Sequence, residues 1–277
     1  MPLLTREKVI NFQVYSRAKE LIQQAGDAVR SEVFQRETIE TKESFTDLVT
    51  NVDQEVETFL IKKLRHLIPG SHLIAEKSNA TISLDFSKFE YTWVIDPIDG
   101  TMNFIHQFPK FAISIALYNY NEIVFGVTLD IPNNILYAAR KGQGAFMNDI
   151  PLTVSSVHSL KDSLIAYGLP TNEWNQNSHF SNMRHSFFGK SHGTRNTGST
   201  CLDLALVASG QLDGFWHQHL KPWDVAAGII LVEEAGGKAT NLHADNSNLT
   251  DDWIIASNKA IHEQLLTHIK NNLKRCH

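Results

Sequence analysis

The stretch WVIDPIDGTMNF, residues 93–104, decides how this chain is read. Trp93, Val94 and Ile95 form a short continuous apolar run, the pattern of a buried strand. The chain then delivers two aspartates, Asp96 and Asp99, three residues apart. Pro97 fixes φ between them and removes a backbone donor. Gly100 permits a tight turn and lets a ligand approach the main chain closely. Thr101 opens a short helical segment, and an anion can sit on the free amides of such a start. Two carboxylates beside an anion repel one another unless a cation lies between them. Hard oxygen ligands next to a phosphate point to Mg²⁺. Read alone, the same letters also fit an Asp-Pro turn followed by an Asp-Gly turn.

Acids elsewhere shift that balance. Glu76 ends the apolar run HLIA, so it occupies the same kind of strand end. Asp224 follows Trp223 at the start of a helix, and Asp53 lies in the first turn of another. In isolation both positions also suit an ordinary cap or a carboxylate offsetting the helix dipole. Asp47 reads as a turn or cap residue and is left outside the site.

Working outward, residues 5–34 predict a long amphipathic helix, with Val9, Phe12, Leu21, Ile22, Ala25 and Val29 at helical spacing. A polar loop follows, then a helix over residues 51–67 with Val52, Val56, Phe59, Leu60, Leu64 and Leu67 as its stripe, stopped by Pro69-Gly70. HLIA and YTWVIDP read as strands. AISIALYNY, EIVFGVTLD and ILYAARKG read as an antiparallel meander broken at Asn121-Glu122 and Pro132-Asn133-Asn134. The second half alternates. SLIAYGL, DGFWHQ and DWIIAS read as strands. NQNSHFSNMRHSFF, CLDLALVASG, WDVAAGIILVEEAGG and residues 259–274 read as helices, and HGTRNTG as a turn-rich connection. The expected organisation is an N-terminal α+β lobe, 1–150, carrying most of the acids. An α/β lobe, 151–277, carries Asp224, and the two form one compact unit.

The 277 residues, 42% hydrophobic and 20% charged, are long enough for a real core. A net charge of −5 without a basic stripe argues against a nucleic-acid partner. It leaves anionic substrates open, since metals can reverse the field in a cleft. Cys201 and Cys276 imply no disulfide framework, which fits a reducing cytosol. The N-terminal residues lack the pattern of a signal peptide, and no apolar run approaches a membrane span. A cytoplasmic protein is the expectation. No GxSxG-type nucleophile motif occurs, and the histidines show no HxxxH spacing.

Four ordered segments carry a resemblance to the inositol monophosphatase family of metal-dependent, lithium-sensitive phosphatases. They are DLVTNVDQ (47–54), AEKS (75–78), WVIDPIDGTMNF (93–104) and KPWDVAAG (221–228), with FAISIAL, GQGAF, NTGS and EEAGG agreeing around them. The resemblance runs from about residue 10 to 270. It implies a layered sandwich of alternating helices and sheets, usually a homodimer. It also implies a Mg²⁺-dependent phosphomonoesterase acting on a small phosphorylated metabolite. Glu76 and Asp96, helped by the Ile98 carbonyl, would hold one Mg²⁺, and Asp96, Asp99 and Asp224 a second. A third, weaker ion would sit near Glu76. Asp53 and Thr101 would orient the attacking water. Gly100 and Thr101 would face the phosphate, and Gly198, Ser199 and Thr200 would line the alcohol side. Some bacterial relatives are instead partners of the transcription or RNA-processing machinery.

Two departures stand out. The family's glutamate pair is here Glu76 followed by Lys77, and Lys77 is expected to face solvent, since lysine is seldom buried. Inositol-preferring members carry a glutamate seven residues before the WD aspartate, where this chain has His217. A histidine can bond hydroxyls, stack on a base or, protonated, meet a second phosphate. That substitution opens nucleotide phosphates, fructose 1,6-bisphosphate and histidinol phosphate as alternatives to inositol 1-phosphate.

Overall fold

The computed structural model describes residues 6–32, 39–41, 48–78, 85–168, 179–246 and 251–273. Helix α1 (Arg6–Glu32) is followed by a small hairpin, β1 (Ile39–Thr41) and β2 (Leu48–Thr50), and by helix α2 (Asn51–Leu67). Asp47 lies outside the described residues. The first large sheet then forms from β3 (His72–Ala75), β4 (Tyr91–Asp99), β5 (Ala112–Asn119), β6 (Glu122–Asp130), β7 (Ile135–Arg140), β8 (Gly144–Met147) and β9 (Ile150–Pro151), in that spatial order. β3 and β4 are parallel, and every later pair is antiparallel. The one-turn helix α3 (Thr101–Ile105) interrupts the run between β4 and β5.

The second sheet has the order β11-β10-β12-β14-β13, built from β10 (Leu164–Tyr167), β11 (Gly193–Arg195), β12 (Gly214–Gln218), β13 (Lys238–Thr240) and β14 (Trp253–Ser257). Its parallel pairs are β10 with β11 and with β12, whereas β14 runs antiparallel to both its neighbours. Helices α4 (His179–Ser186), α5 (Thr200–Ala208), α6 (Pro222–Glu234) and α7 (His262–Leu273) complete the chain.

Five layers result. Strand alternation sends Trp93, Ile95, Ile113 and Ile115 to one face of the large sheet, where they meet Leu21, Ile22, Leu60 and Leu64 of α1 and α2. Val94, Ala116 and Tyr118 point to the other face, against α5 and α6. The small sheet repeats the pattern. Phe215, Ile254 and Ala256 face α5 and α6, while Trp216, Trp253 and Ile255 pack on Phe187 and on Leu265 and Ile269 of α7.

This layering explains why α6 has no polar stripe. A helix between two sheets is buried all round, and nine of its 13 residues, including Ile229, Ile230, Leu231 and Val232, are buried. Each such aliphatic side chain contributes about 1.5–3 kcal/mol by leaving water. The helix lies close on the sheet because Gly126 of β6 has no side chain. A Cβ there would stand 2.7 Å from the Ala227 Cα. Among the described residues, no helix is long and apolar enough to cross a membrane.

The predicted helices and long strands stand where the periodicity puts them. Six short strands, β1, β2, β8, β9, β11 and β13, are absent from the sequence reading, and β1 falls inside the segment read as a polar loop. β11 lies inside the segment read as a turn-rich connection, and the first part of the helix predicted from Asn175 lies outside the described residues.

Candidate active site

The site begins with an irregularity in β4. Asp96 pairs with Ser114, but Asp99 pairs with Ala112, so β4 holds one residue more than its partner. In a regular strand, residues three apart point to opposite faces. The bulge at Pro97 cancels one alternation. Ile98 therefore joins Ile95 in the core beneath α1 and α2, and both aspartates point toward α5 and α6. The parallel register Ala75–Ile95 sets the next residues, Glu76 and Asp96, side by side at the two strand ends.

Gly100 turns the chain after β4. Its φ of 83° lies in the left-handed region, and a Cβ would stand 2.9 Å from the Lys110 carbonyl oxygen and 3.2 Å from that of Gly198. Only glycine fits without strain. The Thr101 hydroxyl donates to the Ile98 carbonyl at 3.1 Å, and Asn103 Nδ2 donates to Lys110 O at 2.6 Å and Thr197 O at 2.8 Å. Asn103 thereby ties the turn after β4 to the segment that leads into α5.

That segment, Gly198-Ser199-Thr200, meets Asp99. The Ser199 hydroxyl and the Cys201 main-chain N–H both donate to Asp99 Oδ2, the latter at 2.9 Å. The α5 N-terminus thus holds a carboxylate supplied by β4. Asp224, at the start of α6, accepts the Lys221 N–H at 2.7 Å in a capping arrangement. It stands at the third helical position rather than at the N-cap, which is Lys221, and its capping bond and its place in the cluster coincide.

The electrostatics show how strongly these groups crowd. Burial first, then the carboxylates of Glu76, Asp99, Asp224 and Asp53, push Asp96 well above its ordinary value. Asp99 is raised to about 6 by burial, opposed by the Ser199 and Cys201 donors. Asp224 is raised to about 8. The residue is half-buried as a whole, but its carboxyl lies among protein atoms. Asp53, wholly buried in α2, is raised to about 7 by burial, with Lys77 opposing. Asp96 Oδ1 is buried and has no hydrogen-bond partner among the described residues. Several unfavourably placed carboxylates and an unbonded oxygen fit a divalent cation.

In the sequence Cys201 signals only the lack of a disulfide framework, yet its Sγ lies within 4.8 Å of ligand oxygens of Asp96 and Asp99. Its thiol contacts the Asp224 carbonyl at 3.4 Å, and burial pushes it well above its usual value. With no metal present it stays protonated, which leaves the carboxylate oxygens as the cluster's charged donors. The sequence signal for it was its place two residues after Ser199 at a helix start.

Lys77 corrects an expectation. It does not face solvent: its side chain is 11% exposed, with Nζ 2.7 Å from Glu76 Oε1 and 3.4 Å from Asp53 Oδ2. Two acids around it remove the penalty that makes buried lysines rare.

His217 is the last residue but one of β12, its ring packed on Gly168, where a Cβ would fall 1.8 Å from the ring Cδ2. A carbonyl oxygen only accepts, so Nδ1 carries the proton that bonds Gln218 O at 2.6 Å, and Nε2 is left as an acceptor. Burial lowers the ring to about 4, so it is neutral near pH 7. This removes the protonated form as a partner for a second phosphate.

A layered sandwich whose strand and helix ends converge on a carboxylate cluster defines a metal-assisted hydrolase site rather than one built on a covalent nucleophile. The chain belongs to the inositol monophosphatase family of phosphatases, whose family description, "Inositol monophosphatase family", matches residues 11–274. It is 36% identical over 227 residues to an inositol-1-monophosphatase of Mesorhizobium japonicum, covering 82% of this chain and 84% of that one. It is 37% identical over 235 residues to a Nus factor SuhB of Pseudomonas aeruginosa, covering 83% and 86%. The solved structure of an IMPase from Thermotoga maritima superposes with a TM-score of 0.84 at 28% identity, covering 95% of this chain and 98% of that one.

Proposed function

We propose that this phosphatase is Mg²⁺-dependent and hydrolyses a small phosphorylated alcohol of the inositol 1-phosphate kind. The observation that carries the reading is the convergence of Asp96, Asp99 and Asp224, with Asp96 Oδ1 buried and unbonded among the described residues. Glu76, Asp96 and the Ile98 carbonyl would hold one Mg²⁺, and Asp96, Asp99 and Asp224 another. Bound there, the ions would lower the pKa of water and neutralise charge developing on the phosphoryl group. Thr101 spends its hydroxyl proton on Ile98 O, which leaves its oxygen free to accept from the attacking water. Asp53 is assigned the second acceptor position, and the Gly100 turn and Thr101 the phosphate. Gly198 and Thr200, on the segment that binds Asp99, would face the alcohol, with His217 beyond them. The two lobes act as one unit in this reading, since Asp224 comes from α6 and Asp96 from β4. A cytoplasmic homodimer and inhibition by millimolar Li⁺ complete it.

The test is phosphate release from inositol 1-phosphate, NADP, 3′-phosphoadenosine 5′-phosphate, fructose 1,6-bisphosphate and histidinol phosphate, with and without Mg²⁺. Turnover that needs Mg²⁺ and disappears in Asp96→Asn supports the reading. Folded protein that is silent across the panel at saturating Mg²⁺ would sink it. His217 in place of a glutamate keeps a nucleotide phosphatase as the variant within the same chemistry, since a neutral ring can stack on a base but does not meet a second phosphate as a cation.

A second reading is favoured by the similarity to a Nus factor SuhB: a protein-binding role in transcription or RNA processing. An Asp96→Asn protein that retains the cellular role would support it, and loss of the role would support the enzyme.

A further inference from the structure

Lys77 reaches the carboxylate cluster because its backbone is pinned. Its N–H donates to Glu57 Oε2 at 2.7 Å, and the hydroxyl of Ser78 donates to Glu57 Oε1. Glu57 is buried on α2, one helical turn after Asp53, so the two acids share a helix face. The turn after β3 is thus held flat against α2. The Lys77 side chain folds back between Glu76 and Asp53, and its charge is also felt by Asp96.

We propose that the Lys77 ammonium is a tethered cation of the site. It fills the position beside Glu76 and Asp53 that would otherwise hold an additional Mg²⁺, so the chain takes up one ion fewer. The proposal rests on the Mg²⁺ reading above. An ammonium is a compact point charge with three donors. It reaches oxygen at 2.7 Å here, where Mg²⁺ coordinates at about 2.0–2.1 Å. Nζ sits on Glu76 Oε1 and faces Asp53 Oδ2, so the lysine already neutralises the pair of acids that would draw a further ion, while Oε2 of Glu76 is left for the ion shared with Asp96. The ammonium differs from a metal in one further respect: it cannot leave. It screens Asp53 from Glu76 whether or not Mg²⁺ is bound, which makes Lys77 a positioning residue rather than a ligand.

The experiment counts ions and measures the metal-free fold. Mg²⁺ binding to the full chain is followed by calorimetry for the wild type, Lys77→Gln and Lys77→Glu. Thermal melting is measured in EDTA and in saturating Mg²⁺. The proposal expects one more Mg²⁺ per chain in Lys77→Glu than in the wild type. It also expects a fall of at least ~3 °C in the EDTA midpoint of Lys77→Gln, largely restored by Mg²⁺. Lys77→Gln keeps the test open if Lys77→Glu does not fold. An unchanged ion count in Lys77→Glu, or a Lys77→Gln midpoint equal to the wild type's in EDTA, would overturn it. A wild type that binds no Mg²⁺, indistinguishable from Asp96→Asn, would instead remove the underlying Mg²⁺ reading and the proposal with it.

Discussion

The Ser199 hydroxyl of the second sheet's first inner helix donates to Oδ2 of Asp99, the last residue of a strand in the first sheet. The same hydroxyl oxygen accepts the Leu202 N–H at 3.3 Å, so one side chain both caps α5 and aims a carboxylate of the acidic cluster. Ser199→Ala removes both contacts. Loss of the cap costs about 1 kcal/mol of stability, and loss of the donor to Asp99 lowers Mg²⁺ affinity roughly 10–100-fold. Ser199→Thr keeps an oxygen in place and stays near wild type. Calorimetric Mg²⁺ titration and urea unfolding of both variants check this. Equal Mg²⁺ affinity in Ser199→Ala would show that Cys201 N–H alone holds Asp99.

Gly100 and Gly70 form a matched pair. Both have φ near 84°, but a Cβ at Gly70 meets nothing within 4 Å, whereas at Gly100 it meets two backbone oxygens that cannot move independently of the site. Gly70→Ala should lose only the conformational term, about 1–2 kcal/mol. Gly100→Ala should lose more and should also reduce turnover at saturating substrate and Mg²⁺. Chemical unfolding and steady-state kinetics on the two proteins measure the difference. Similar losses for both would mean that the backbone at Lys110 and Gly198 gives way freely.

Much of this was legible in the sequence, and the residues show why. The helix from Asn51 to Leu67 and strand β4 announce themselves through apolar spacing and punctuation, which are local. Asp96, Asp99 and Asp224 stand out in the sequence because each ends or starts an element, where a carboxylate has a reason to be. The convergence of Asp96 with Asp99 was not derivable from spacing, since it depends on a bulge defined only by the partner strand β5. The inward turn of Lys77 is set by Glu57, twenty residues earlier and on another element. Strands β9 and β11, of two and three residues, are too short to show a period and exist because a neighbouring edge accepts them.

Metal-free stability should depend on pH with a defined sign. Asp99, Asp53 and Asp224, raised to about 6, 7 and 8, hold protons in the folded chain that the unfolded chain has released above its ordinary 3.8. The folded state binds more protons, so stability falls as pH rises through those values. His217 and His262, both lowered to about 4, act the other way, but only below their unfolded value of 6.5. A window from about pH 6.5 to 8.5 therefore isolates the carboxylates. The melting midpoint in EDTA should fall across it, and saturating Mg²⁺ should flatten the dependence. A flat EDTA profile would mean that the cluster ionises without strain.

The contact between His217 and Gly168 gives a way to test what reads the substrate. The neutral ring lies on the glycine, fixed by its own Nδ1–H to Gln218 O, and no side chain larger than hydrogen fits beneath it. Gly168→Ala must therefore displace the ring, because the added Cβ would fall 1.8 Å from Cδ2. If His217 reads the substrate, Gly168→Ala and His217→Ala should alter the ranking of the phosphoester panel in the same sense. His217→Glu should move it toward inositol 1-phosphate. The expected signature is a change in KM of about tenfold for the preferred substrate, with kcat changed less, as for a lost binding contact rather than a lost reacting group. Wild-type ranking in all three variants, with the Asp96-dependent turnover intact, would leave His217 as a packing residue and place specificity elsewhere in the cleft.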